Sequence, residues 1–178
     1  MKKILLLKHW QIFIILIIPM VINFVLRGSD YRLGSISSMT IAVILAILYL
    51  IIFFSWVLTI GLFIGSLPDA KYRLRKSIFT IAVLISFIGY SKLNLTVILN
   101  VDNYLPDWIL IIQSLLTAWG IFYTFYSVSR ALKSKELGRK AKFIEYILDA
   151  ILIFAAPIGV WIIQPRLNKI MKNEKYNL

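Results

Sequence analysis

The sequence predicts an all-α integral membrane protein: four transmembrane helices followed by a C-terminal re-entrant or half-inserted helical segment, with five transmembrane helices as the alternative. Three observations predict it. Of the 178 residues, 60% are hydrophobic and 16% are charged, whereas soluble domains carry about 25% charged residues. Several apolar runs approach the roughly 20 residues that cross a bilayer. The Lys and Arg residues behind the net charge of +12 fall in short segments flanking those runs, the distribution of cytoplasmic loops beside anionic lipid.

No polar segment is long enough to fold by itself, so residues 1–178 read as a single membrane domain. The interspersed basic segments argue against nucleic acid as a partner. The expected partners are a bilayer with anionic lipids at the cytoplasmic face, and a second copy or another membrane subunit. The chain has no Cys, which excludes disulfides and thiolate chemistry.

The first span is expected at about 10–26. Lys2, Lys3 and Lys8 precede it, and Val25-Leu26-Arg27-Gly28 is not a small-x-small cleavage site, so it reads as a retained span and not a signal peptide. Pro19 withdraws one backbone donor inside it and predicts a kink. Arg27–Ser38 reads as a polar loop, with Ser37 or Ser38 capping the next helix.

The second span, 39–65, has 27 residues without a charge. At helical rise that is roughly 40 Å, longer than a roughly 30 Å hydrocarbon core, which predicts tilt or protrusion. Gly61 and Gly65 stand at GxxxG spacing and are candidate helix-packing residues. Leu67-Pro68-Asp69 reads as the helix stop, and Lys71, Arg73, Arg75 and Lys76 follow in a short loop.

The third span is expected at 78–99 with Lys92 snorkelling to the outer interface. The alternative ends the helix near Lys92 and lays Leu93–Val101 along the membrane surface. Residues 102–107 read as a turn with Asp107 as cap.

The fourth span, 108–128, should continue as helix to Leu137 and stop at Gly138. Within it Gln113, Thr117, Gly120, Thr124 and Ser127 recur at spacings of four, three, four and three, so they fall within about 80° of one another. This small and polar seam predicts a helix-packing face, with Gly120 and Ser127 as its packing residues. The alternative makes Gln113, Thr117 and Thr124 the lining of a polar path.

Residues 144–164 decide the topology. If they cross the membrane, Arg166, Lys169, Lys172 and Lys175 go outside, and the Lys/Arg count is 13 inside and 7 outside. If they enter and return, it is 17 inside and 3 outside, which the positive-inside rule favours. Beyond Asp149 only Ala150–Ile163 is uncharged, a length that suits a re-entrant segment. Pro157 and Gly159 are the candidate hinge. Glu145 and Asp149 lie one turn apart on one face and are candidate polar residues. They are expected to pair with Arg130, Lys133, Arg139, Lys140 or Lys142. Asp149 is also expected to lie against a basic residue or the polar seam, because an unpaired carboxylate at that depth is costly.

The stretch Ala156-Pro157-Ile158-Gly159-Val160-Trp161-Ile162-Ile163-Gln164-Pro165-Arg166-Leu167-Asn168-Lys169 resembles the C-terminal signature of a family of short, functionally uncharacterised bacterial multi-span membrane proteins. The opening Leu7-Lys8-His9-Trp10-Gln11 is similar to theirs. The resemblance covers about a third of the chain. It implies a bacterial membrane protein, and supplies no activity, substrate or site.

Catalytic signatures are missing. With one His, His9, and no Cys, a His/Cys metal cluster is excluded. There is no GxSxG, HExxH or phosphate-binding glycine loop. Glu145 and Asp149 would need a further functional group to act as general acid and base. No catalytic, cofactor-binding or metal-binding residue is assigned and no cofactor is expected. The sequence predicts a non-enzymatic inner-membrane protein, N-terminus cytoplasmic, serving as a structural or accessory subunit. The alternative is a small transporter or oligomeric pore using the broken 144–164 segment.

Overall fold

The computed structural model describes residues 7–33, 36–67, 74–99 and 106–176. Every regular element among them is a helix: α1 (His9–Leu33), α2 (Ile36–Ile64), α3 (Lys76–Leu99), α4 (Asp107–Leu137), α5 (Phe143–Phe154) and α6 (Ala156–Tyr176). Three helices are long and apolar enough to cross a membrane, over Thr40–Ile64, Lys76–Thr96 and Asp107–Leu137. The apolar part of α1, His9–Val25, is shorter.

The helix boundaries depart from expectation in three places. α1 runs on to Leu33, so the first part of the expected polar loop from Arg27 is helical. Gly28 is the only weak helix former there that carries a cost near 1 kcal/mol, and no Pro intervenes. α2 begins at Ile36, which places Ser37 and Ser38 inside the helix and not at its cap. Pro106 holds the N-cap of α4; Asp107 lies in the first turn, where a carboxylate suits the helix dipole. α3 continues through Lys92 to Leu99, as the longer of the two expectations had it. α4 ends on Gly138 in the left-handed conformation, φ 64°. The expected stop at Pro68-Asp69 and the turn over 102–105 lie outside the described residues.

α1 packs on α2 and α6, α3 on α2 and α4, and α5 on α4 and α6. The core is filled by Trp56, Val57, Ile60, Phe79, Leu132, Ile153, Ile163 and Leu167. Large apolar side chains also point outward, including Phe24, Leu115, Phe122 and Ile144. Such a surface fits surroundings that are themselves apolar.

The last two helices form a hairpin. α5 has 12 residues, about 18 Å at helical rise, against a core of roughly 30 Å. It ends where the Ala155 N–H donates to Ile151 O, and α6 starts at once, with Ile158 and Gly159 donating to Ala155 O at 3.0 and 3.1 Å. The break is therefore at Ala155 and not within Pro157–Gly159. Pro157 sits in the first turn of α6, where a missing N–H has no helix acceptor to lose. Gly159 is there for clearance, because a Cβ on it would overlap the Leu152 carbonyl.

Candidate functional site at the base of the hairpin

Reversal at Ala155 returns Arg166 to Asp149. The Arg166 guanidinium donates from Nη1 to Asp149 Oδ1 at 2.6 Å and from Nη2 to Oδ2 at 2.8 Å. It also donates from Nε and Nη2 to the Glu136 carboxylate at 2.5 and 2.6 Å. One side chain on α6 thus grips α5 and the end of α4 together. The planar fork of donors is what makes such paired grips available to Arg and not to Lys. Lys133 stands 3.6 Å from Glu136, so two carboxylates face two cations. Asp149 is 4% exposed, and a carboxylate so buried needs such compensation.

Glu145 has a different partner. It receives hydrogen bonds from Arg139 and, at 2.7 Å, from the Lys142 backbone N–H. The Arg139 guanidinium first, and then the Lys142 amide, hold its carboxyl at about 2, below the usual carboxylate range. The same pairing raises Arg139. Glu145 thereby fastens the turn between α4 and α5, which a second bond, from Ala141 N–H to the Ser134 hydroxyl, also braces.

Arg139 was among the cations expected for the two acids. Arg166 was not, because its proximity to Asp149 depends on the reversal at Ala155. Asp149 lies six residues before Ala155 and Arg166 eleven beyond it, so spacing about the break did not signal the pair.

Gln164 forms the second junction. Its Oε1 accepts from Trp56 Nε1 at 3.1 Å, and its Nε2 donates to Leu7 O at 3.2 Å and to Asn168 Oδ1 at 3.4 Å. Gln164 and Trp56 are 0% and 1% exposed, so this pair satisfies two polar groups that burial would otherwise penalise. Beside it, Trp161 packs on His9 and Phe13. The entry to α1, the end of α4, the start of α5 and the second half of α6 therefore meet at one end of the bundle.

Three of the small and polar residues of α4, Gln113, Thr117 and Gly120, face α3. Gly120 packs so closely that a Cβ on it would lie 2.8 Å from Ser86 Oγ and 2.9 Å from Ala82 O. Thr117 occupies the space beside Gly89, where a Cβ would overlap it. Gln113 accepts a hydrogen bond from Lys92 at 2.5 Å. Thr124 and Ser127 are fully buried, and their hydroxyl oxygens have no hydrogen-bond partner among the described residues. Lys92, expected to snorkel to the interface, instead donates to Gln113 of this seam. Gly89 escaped the sequence reading, although Ala82, Ser86 and Gly89 repeat on α3 the four-and-three spacing noted on α4. Gly61 and Gly65 receive side chains, the Phe79 ring and Leu74, and not another helix's backbone.

Among the described residues no three His, Cys, Asp or Glu side chains gather closely enough to hold a metal. Compared with known protein families, known proteins and solved structures, the chain matches none. The arrangement at the hairpin base is a charge-compensated clamp that fixes α5, α6 and α4 relative to one another.

Proposed function

We propose that the chain is a non-enzymatic, multi-pass protein of the bacterial inner membrane, serving as a structural or accessory subunit. In this reading α1–α4 are the four spans, both termini are cytoplasmic, and the α5–α6 hairpin is re-entrant from the cytoplasmic side. The observation that carries it is the Arg166 clamp: Asp149, the acid placed to serve a transport path, is gripped by two hydrogen bonds from a cation. A carboxylate so held acts as a strut between helices. The length of α5 and the charge count of 17 against 3 support the re-entrant placement. The exposed apolar faces of α4 and α5 offer a lipid-embedded subunit surface to a neighbouring membrane protein.

The test has two arms. Single-cysteine Lys172 variants in oriented membranes should label from the cytoplasmic side alone; labelling from the outside alone would leave five spans and no re-entrant segment. Purified protein in liposomes should pass no ion or small solute above empty vesicles, and should retain a membrane partner through mild purification. A flux abolished by Asp149→Asn would replace this reading with the small transporter or pore, which the break of the 144–164 segment at Ala155 favours.

A further inference from the structure

Away from the hairpin, α1, α2 and α3 border an open-mouthed cavity of about 190 Å³, the volume of roughly six liquid-state waters. Its lining includes Pro19 and Asn23 from α1, Ala46 and Tyr49 from α2, and Tyr90 and Asn94 from α3. Tyr49 lies two helical turns, about 10 Å, along α2 from Trp56, the α2 residue that holds Gln164.

The polar groups there have a definite inventory. Asn23 Nδ2 donates to Ala42 O at 2.5 Å and Asn94 Nδ2 donates to Tyr90 O at 2.9 Å. Both carboxamides are thereby fixed with their oxygens as remaining acceptors. Two phenol hydroxyls, each donor and acceptor, complete the set. Among the described residues no Lys, Arg, His, Asp or Glu lines the cavity. Pro19 contributes an apolar ring in place of a backbone donor. Four hydrogen-bonding groups in an apolar bundle are costly to leave dry, and the neutral polar groups of the described lining suit an uncharged, hydrogen-bonding occupant.

We infer that this cavity is a hydrated binding site for an uncharged, hydroxyl-bearing group of about glycerol size. The group is either a free polyol or the glycerol end of a neutral lipid. Its hydroxyls donate to Asn23 Oδ1 and Asn94 Oδ1 and exchange hydrogen bonds with Tyr49 and Tyr90. The inference stands apart from the accessory-subunit reading, since a structural subunit and a transporter alike can carry such a site.

The cysteine-free chain makes the test direct. Ala46→Cys places one thiol in the cavity wall. Leu48→Cys, on the outward face of α2, and Lys140→Cys, on the exposed turn after α4, serve as references. In detergent micelles a charged thiosulfonate should modify Ala46→Cys about tenfold faster than Leu48→Cys, because only a wetted thiol reacts readily. Molar glycerol should slow Ala46→Cys about threefold by occupancy without slowing Lys140→Cys. Adding Tyr49→Phe, or Tyr90→Phe should the first variant unfold, should remove that protection. Protection by glycerol identifies a soluble polyol. Protection only by micelles containing diacylglycerol identifies a lipid end. If Ala46→Cys reacts as slowly as Leu48→Cys, or if neither probe protects it, the inference is overturned.

Discussion

Arg166 holds Asp149 through two parallel hydrogen bonds, 2.6 and 2.8 Å long, across the two arms of the hairpin. Arg166→Met should be the most damaging change at this base. It leaves Asp149 buried without a cation and releases Glu136, a loss of roughly 3 kcal/mol for a broken buried pair. Asp149→Asn keeps the shape and an acceptor, so its cost should be near 1 kcal/mol. Asp149→Leu should fall between them, because Glu136 still pairs with Arg166. Thermal denaturation in detergent gives the order. Equal losses for Asp149→Asn and Arg166→Met would mean that the charge, and not the grip, is what matters.

Three glycines should respond in a fixed order to the addition of one methyl group. Gly159→Ala drives a Cβ into the Leu152 carbonyl, which is backbone and cannot swing aside. Gly120→Ala meets Ser86 Oγ and the Ala82 carbonyl at 2.8 and 2.9 Å, a milder overlap. Gly138→Ala meets no neighbour but must hold φ 64°, at a cost of about 1 kcal/mol. Overpacking costs about 1–3 kcal/mol, so yield and thermal stability should fall most for Gly159→Ala. Gly120→Leu should separate α3 from α4 outright. If Gly159→Ala kept wild-type stability, the close contact between α5 and α6 would be refuted.

What was legible in the sequence was whatever depends on one helix at a time. Uninterrupted apolar length gave α2 and α4, and Gly138 gave the end of α4 because a helix stop is a local event. The shared face of Gln113, Thr117 and Gly120 was legible because a helix repeats its faces at a known angle. The charges of 27–33 misled, since polarity was read as a loop where the backbone had no reason to leave the helix. The Arg166–Asp149 and Gln164–Trp56 contacts were not legible. Each joins residues that come together only after the chain has reversed at Ala155 or crossed the bundle, and no periodicity encodes that. Phe79 seated on Gly61 is a similar case: a GxxxG pattern marks a notch without saying what fills it.

The Glu145 carboxyl should titrate with a midpoint of about 2 in the folded protein. The ordinary value for a free Glu carboxyl is 4.5, so a depressed folded value stabilises the turn above pH 4.5, and that contribution fades as pH falls from there through about 2. Arg139→Ala should move the midpoint up toward the ordinary carboxylate value, because the guanidinium is the largest cause of the depression. Carboxyl-carbon NMR of Glu145 in micelles measures both. An unchanged midpoint in Arg139→Ala would remove Arg139 from the turn.

Trp56 and Gln164 should show strong coupling in a double-mutant cycle. Trp56→Phe removes the Nε1 donor and with it the hydrogen bond to Gln164 Oε1. Gln164→Leu removes the acceptor and leaves the indole N–H buried in the core. Removing one partner of a buried hydrogen bond costs about 1–3 kcal/mol. The pair Trp56→Phe with Gln164→Leu removes both groups, so its loss should be smaller than the sum of the single losses by at least about 0.5 kcal/mol. Gln164 also donates to Leu7 O and to Asn168 Oδ1, so the double variant should still fall short of wild-type stability by the value of those two hydrogen bonds, about 1–2 kcal/mol. Additive losses would mean that the two side chains do not meet, and the placement of α6 against α2 would then be wrong.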